Sequence, residues 1–289
     1  MIRKGILLAG GLNTRLFPIT KSVSKHLLPI YDKPLIYYPL SCLMLANIRD
    51  ILIISNESNL SYYKILLGDG SDIGINLTYE IQSQANGIAE SFLIGKNFLN
   101  NSPVALILGD NIFYGNNLSN IFKDNSSNFD VNTIFAYKVS NPNQFGVVEF
   151  DSNFKVKSIE EKPIKPRSNY VVTGLYFYDN KVVDIASELK PSSRNELEIT
   201  DLNNIYLSKN NLKVHLLGRG ISWLDCGTPD LLLQAQSFVQ TIQNRQSIKI
   251  ACIEEIAFNN KWISKDDLAS LIFKYPKNEY SEYIKDLIK

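Results

Sequence analysis

Histidine is nearly absent from this chain. Only His26 and His215 occur among 289 residues, which excludes a catalytic metal site built from several histidines. Cysteine is scarce as well: Cys42, Cys226 and Cys252 are odd in number and widely spaced, giving neither a zinc pattern nor a disulfide framework. No apolar run approaches the roughly 20 residues that a membrane span needs. The charged start Met1-Ile2-Arg3-Lys4 leads into an apolar run that glycine soon breaks, too short for an export signal. An excess of one charge is missing too, and a net charge of +1 sets up no field to attract nucleic acid or a membrane surface. There is no internal repeat, low-complexity segment or flexible linker. What remains, 45% hydrophobic and 20% charged, is ordinary for a soluble enzyme and long enough for one large domain with an added segment. The expected location is the reducing cytoplasm.

The elements alternate. Ile6-Leu7-Leu8-Ala9 reads as a buried strand, Pro34 to Ala46 as a helix and Asp50 to Ser55 as the next strand, a βαβ unit that implies parallel pairing. Leu60–Leu67 and Ile88–Phe98 read as helices, with a strand Leu77–Gln82 between them. Val104–Leu108 is the clearest central strand. Further strands are expected at Thr133–Val139, Val147–Phe150, Lys155–Glu161, Val171–Tyr178, Lys213–Leu217 and Ile221–Asp225, with helices at Lys181–Leu189 and Thr200–Ser208. From Pro229 the apolar spacing is helical. The expected fold is α/β, a doubly wound mixed, mostly parallel sheet over residues 1–228, with a helical C-terminal segment over 229–289.

The chain's chemistry concentrates between Gly5 and Pro34, GILLAGGLNTRLFPITKSVSKHLLPIYDKP. A strand that opens into Gly10-Gly11 presents bare backbone N–H groups at the carboxyl edge of a sheet, where anions bind. Arg15 and Lys25 follow within reach, which suits a triphosphate better than a single carboxylate. Taken alone, Gly-Gly is equally a tight turn. It is not the G-x-G-x-x-G dinucleotide fingerprint, which argues against an oxidoreductase, nor the G-x-x-x-x-G-K-[ST] phosphate loop. Asp110 ends the strand VALIL and Asp225 ends ISWLD, so both are expected in the crevice at the carboxyl ends of one sheet. There they would either start turns or hold Mg²⁺ through hard oxygen ligands.

The whole opening string resembles the signature of the sugar-nucleotide pyrophosphorylases, G-G-x-G-T-R-L followed by S-K-x-L-L-P-I-Y-D-K-P. It looks most like those members that join dTTP to glucose 1-phosphate. The resemblance spans essentially the entire chain. It implies a catalytic Arg15 and Lys25, nucleotide contacts from Leu8, Gly10, Gly11, Thr14, His26, Gln82, Gly87 and Asp110, and Mg²⁺ on Asp110 and Asp225. In Glu160-Glu161-Lys162-Pro163, otherwise a common solvated turn, it assigns sugar hydroxyls to Glu161 and the sugar phosphate to Lys162. Gly146, Val172, Tyr176 and Arg194 complete the implied sugar-phosphate site. Gln82 and Gly87 would recognise the base, the amide side chain both giving and taking a hydrogen bond.

Several positions depart from the pattern. Asn13 stands for a glycine in the phosphate turn, and as the non-glycine residue most tolerant of positive φ it should preserve that turn. His26 replaces a glutamine, Ser83 to Asn86 replaces a proline-rich turn, Asn195 replaces a glycine, and Cys226 and Pro229 replace threonine and histidine. The family also carries a feedback site between subunits of a homotetramer. Tyr114, Gly115, Arg219, Glu255 and Ile256 fit it, whereas Asn116 and Asn259 do not. The rivals to this reading are the same chemistry with UTP or another sugar phosphate, and a silent nucleotide-sugar sensor.

Overall fold

The computed structural model describes residues 3–11 and 14–289. In chain order, β1 (Lys4–Leu8) leads through three 3₁₀ turns into the hairpin β2 (Pro29–Ile30) and β3 (Lys33–Pro34), then α1 (Tyr37–Leu45), β4 (Asp50–Ser55), α2 (Glu57–Leu67) and β5 (Asn76–Ile81). There follow α3 (Glu90–Ile94), α4 (Lys96–Leu99), β6 (Val104–Leu108), β7 (Asn111–Gly115), α5 (Leu118–Ser127), β8 (Asn132–Lys138), β9 (Gly146–Phe150), β10 (Val156–Glu161) and β11 (Tyr170–Tyr178). The chain closes with α6 (Val182–Glu188), α7 (Ile199–Ser208), β12 (Leu212–Leu216), β13 (Ile221–Asp225), α8 (Pro229–Gln246), α9 (Ile253–Asn259), α10 (Lys265–Phe273) and α11 (Glu279–Asp286).

The central sheet has nine strands, with β10-β9-β11-β6-β1-β4-β5 along its main path and β8 and β12 attached through β11. The pairings set all of them in one direction except β10 and β11, a mixed, mostly parallel sheet. Its central strands are buried on both faces, which is why they read as continuous runs of Ile, Leu and Val rather than as an alternation. One face (Leu7, Ile51, Ile53, Ile107, Phe177) packs on α1 and, through Ile253, Leu268 and Ile284, on α9, α10 and α11. The opposite face (Ile6, Leu8, Leu52, Leu106, Tyr178) packs on α3, α6 and α7. A third cluster, with Leu16, Ile30, Tyr38 and Cys226, joins the opening loop to α8. The C-terminal helices therefore share the main core with the sheet. The three cysteines are free and buried.

One expectation needs correction. Asp225 does not end a strand of the main sheet, because β13 pairs antiparallel with β7 in a separate ribbon. Asn111 stands opposite Asp225 in that ribbon, and the Cys226 N–H donates to the Asp110 carbonyl at 3.1 Å. The two aspartates still meet, brought together by a hairpin-like ribbon rather than by shared sheet ends.

Candidate active site

Four parallel strands end side by side and fix the first half of the site. Ala9 N donates to Ile54 O at 2.7 Å, Ser55 Oγ to Ala9 O at 2.9 Å, Gln82 N to Ser55 O at 2.8 Å and Gly109 N to Leu8 O at 2.9 Å. The Gly10-Gly11 turn, Gln82 and Asp110 thus share one edge. Gly11 adopts φ +94, and a Cβ on Gly10 would lie 2.7 Å from Gln82 Oε1, so both positions call for glycine. A cavity of about 200 Å³ opens there, lined by Leu8, Gly10, Gly11, His26, Gln82 and Gly87 with Asp110. Thr14 is exposed at the start of the next 3₁₀ turn and lines neither this cavity nor the larger one described below. The expectation for Asn13 lies outside the described residues. The Ser83–Asn86 turn is anchored by Leu197 N donating to Asn86 O at 2.7 Å and by Asn86 Nδ2 donating to Glu90 at 2.8 Å.

Beside this edge lies a charged centre. Lys25, 4% exposed, forms an ion pair with Asp110. Burial alone would raise the Asp110 carboxyl, but the Lys25 ammonium outweighs it and holds it below the ordinary range. Burial first, and the Asp110 charge second, push the Asp225 carboxyl well up. The Arg15 guanidinium reaches the same place: a Cβ on Gly227 would lie 2.8 Å from Arg15 Nη2 and 3.0 Å from Asp225 Oδ2. Asn111, absent from the sequence expectations, organises this centre. Its Oδ1 accepts from Trp223 Nε1 at 2.6 Å and Gly174 N at 3.0 Å, and its Nδ2 donates to Asp110 Oδ1 at 2.7 Å.

A larger cavity of about 610 Å³ extends from Asp110 and Asp225 to Gly146, Glu161, Lys162, Val172, Tyr176 and Arg194. Glu161 is clasped by Thr200 Oγ1 at 2.6 Å and Arg194 Nη2 at 3.2 Å. Arg194 in turn is held bidentately by Glu198, at 3.1 Å through Nε and 2.7 Å through Nη2. Lys162 has φ +43, a left-handed conformation uncommon outside glycine, at the point where the chain leaves β10 for the cavity rim. Asn195, beside Arg194, is also left-handed at φ +60, so asparagine serves there where glycine would be the easier choice.

The sequence profile of the nucleotidyl transferase family matches residues 4–242. The chain belongs to the nucleotidyl transferase family. It is 54% identical over 286 residues to the glucose-1-phosphate thymidylyltransferase of Neisseria meningitidis, covering 99% of each chain, and 48% identical to that of Mycobacterium tuberculosis, again covering 99% of each. Among solved structures, a Bacillus anthracis protein assigned as a glucose-1-phosphate thymidylyltransferase and solved with sucrose superposes with a TM-score of 0.75 at 39% identity, over 82% of this chain and 94% of that one. A UDP-glucose pyrophosphorylase complexed with UDP-glucose gives 0.72 at 25% identity, over 83% and 99%.

In this nucleotidyl transferase, His26 is fully buried, its Nδ1 facing Ser24 Oγ at 3.3 Å and Tyr63 OH at 3.2 Å and its ring against Gly109. Burial pushes its pKa from 6.5 down to about 4. A depressed pKa means that the unfolded chain binds the proton first, so this contribution to stability is whole above pH 6.5 and is lost as pH falls to about 4. The expected acid loss from this residue is about 3 kcal/mol. Urea unfolding between pH 4 and 7 should show it in the wild type and not in His26→Gln.

Asp110 and Asp225 could hold a divalent cation in this nucleotidyl transferase. Two half-buried carboxylates that repel one another offer a hard cation the charge it requires, and Mg²⁺ commonly takes one or two carboxylates and fills its shell with water and phosphate oxygens. The expected regulatory residues form two groups. Tyr114 and Gly115 lie on β7 with exposed Arg219 nearby on the chain entering β13, and Tyr114 bonds Gln246 of α8. Glu255 and Ile256 lie on α9, where Tyr283 OH donates to Glu255 Oε2 at 2.8 Å. Among the described residues, no hydrogen bond or ion pair joins the two groups. As with Asn111, sequence reading missed Glu90, Glu198 and Thr200. Only Asn111 carried a signal, its place directly after Asp110.

Proposed function

We propose that this nucleotidyl transferase transfers a thymidylyl group from dTTP to glucose 1-phosphate, giving dTDP-glucose and pyrophosphate for dTDP-deoxysugar synthesis. The observation that carries the reading is the junction of the two cavities, which share Ile88, Leu108, Asp110 and Glu196 along their walls. A nucleotide seated on the glycine turn and a sugar phosphate seated between Glu161 and Arg194 would meet at Asp110. The names of the relatives that match over nearly the full length support the choice of base and sugar.

The chemistry follows from that juxtaposition. A phosphate oxygen of glucose 1-phosphate attacks the α-phosphorus in line. The bond from the α-phosphorus to its bridging oxygen breaks, and pyrophosphate leaves with the electron pair. The nucleophile is already an anion, so positioning and charge neutralisation supply most of the rate. Lys162 and Arg194 hold the attacking phosphate, Glu161 fixed by Thr200 accepts from the sugar hydroxyls, Lys25 meets the α-phosphate and Arg15 the departing phosphates. Mg²⁺ held by Asp110 and Asp225 would neutralise phosphate charge when bound.

Incubation with dTTP, glucose 1-phosphate and Mg²⁺ should yield dTDP-glucose by mass together with equimolar pyrophosphate. Absence of both products from folded protein overturns the reading. Lys162→Ala should raise the KM for glucose 1-phosphate roughly tenfold or more, as expected for a lost hydrogen bond to a charged group, while the KM for dTTP stays within about twofold. Equal rises in steady-state kinetics would place Lys162 elsewhere. The same reading includes a cytoplasmic homotetramer assembled through the C-terminal helices, and a monomer in sedimentation velocity would remove that part.

A further inference from the structure

We propose that Glu90 sets the base preference of the nucleotide cavity by fixing which end of the Gln82 amide faces it. The proposal rests on the nucleotidyl transfer argued above and names a residue that acts on the base through Gln82.

The amide nitrogen of Gln82 has two hydrogens, and both are taken. One goes to the Gly87 carbonyl at 3.2 Å and the other to Glu90 Oε2 at 2.8 Å. A carbonyl and a carboxylate only accept, so the amide cannot turn over without setting its own oxygen against two others. Glu90 is itself constrained. Its Oε1 accepts from Asn86 Nδ2 at 2.8 Å, and it opens α3 between buried Ala89 and Ser91. Gln82 Oε1 is left facing the Gly10-Gly11 turn at the cavity.

The cavity therefore offers the base an acceptor rather than the two-way pairing expected of a free glutamine. Thymine and uracil present a ring N3–H that this acceptor can take. Cytosine presents N3 as a lone pair, which would face the amide oxygen and leave both unpaired. A buried polar group with nothing to pair with is a strong basis for rejecting the wrong ligand. The device is one carboxylate, placed by helix α3, that holds the reading group in one orientation. Glu90 touches no reacting atom and is a positioning residue.

The test compares kcat/KM for dTTP and dCTP in the wild type, Glu90→Met and Glu90→Gln, with binding of both nucleotides followed by calorimetry. Met removes the acceptor while keeping the length, and the dTTP-to-dCTP ratio should fall roughly tenfold or more, on the scale of one lost hydrogen-bond discrimination. Gln restores an acceptor, so the ratio should return to within about threefold of the wild type. An unchanged ratio in a folded, active Glu90→Met enzyme overturns the proposal. If Glu90→Met does not fold, Glu90→Ala at this half-buried position gives the same reading. Should the wild type turn over no nucleotide, the proposed function fails on its own, and the calorimetric preference of the variants alone decides the role of Glu90.

Discussion

Lys25→Met is expected to lower turnover by a factor on the order of 10²–10³, the usual cost of removing one preorganised charge from a transition state. The same substitution should destabilise the metal-free protein by about 3 kcal/mol, the low end for breaking a buried pair, since Asp110 retains some exposure. The loss arises because the Asp110 and Asp225 carboxylates are then left to face one another without the ammonium that compensates them. Millimolar Mg²⁺ should restore part of the stability and little of the turnover, as it replaces the charge but not the contact to the α-phosphate. Thermal unfolding with and without Mg²⁺, beside steady-state rates, separates the two effects. Unaltered stability would mean that Asp110 does not depend on Lys25.

Gly174→Ala should be nearly as damaging, although glycine and alanine differ by one methyl group. A Cβ there would lie 2.6 Å from Asn111 Nδ2 and 2.7 Å from its Cγ and Oδ1. Asn111 is 2% exposed and cannot swing into solvent. Displacing it breaks its bonds to Trp223, Gly174 and Asp110 together, leaving buried donors unpaired. Overpacking and unpaired polar groups together should cost about 2 to 5 kcal/mol, and turnover should fall at least about tenfold as Asp110 loses its fixed orientation. Asn111→Ala added to Gly174→Ala removes the clash, so the double variant should be more stable than the sum of the singles requires. Simple additivity in chemical denaturation would show that the two residues are independent.

How much of this was readable beforehand follows from where each signal lies along the chain. Strands buried on both faces announced themselves as apolar runs, so β4 and β6 were read with their observed bounds, as was the half-buried β13. The helix expected over Ile88–Phe98 is two short helices jointed at Gly95, where a side chain would press on Ile6 and Leu52 of the sheet. The hairpin of β2 and β3 and the strand β7 went unread because they are short, and α5 because its sequence is mostly polar, although Leu118, Ile121 and Phe122 fall on one helical face. In the site, Arg15, Lys25, Asp110, Glu161 and Arg194 stood out because local motifs carry them. Thr200 acts on Glu161 from 39 residues away, and Trp223 on Asn111 from 112 away, so no local pattern could expose them. Glu90 lies in the first turn of α3, where a carboxylate is ordinary in sequence, and its bond to Gln82 exists only because the end of β5 and α3 lie side by side.

The most direct test of the account is the rate of pyrophosphate release with glucose 1-phosphate and Mg²⁺, measured in turn with dTTP, UTP, CTP, ATP and GTP, in the wild type and in Asp110→Asn. The account predicts a clear preference for dTTP and near-complete loss of release in the variant. Preference for another nucleotide, or release that survives loss of the Asp110 carboxylate, would contradict it.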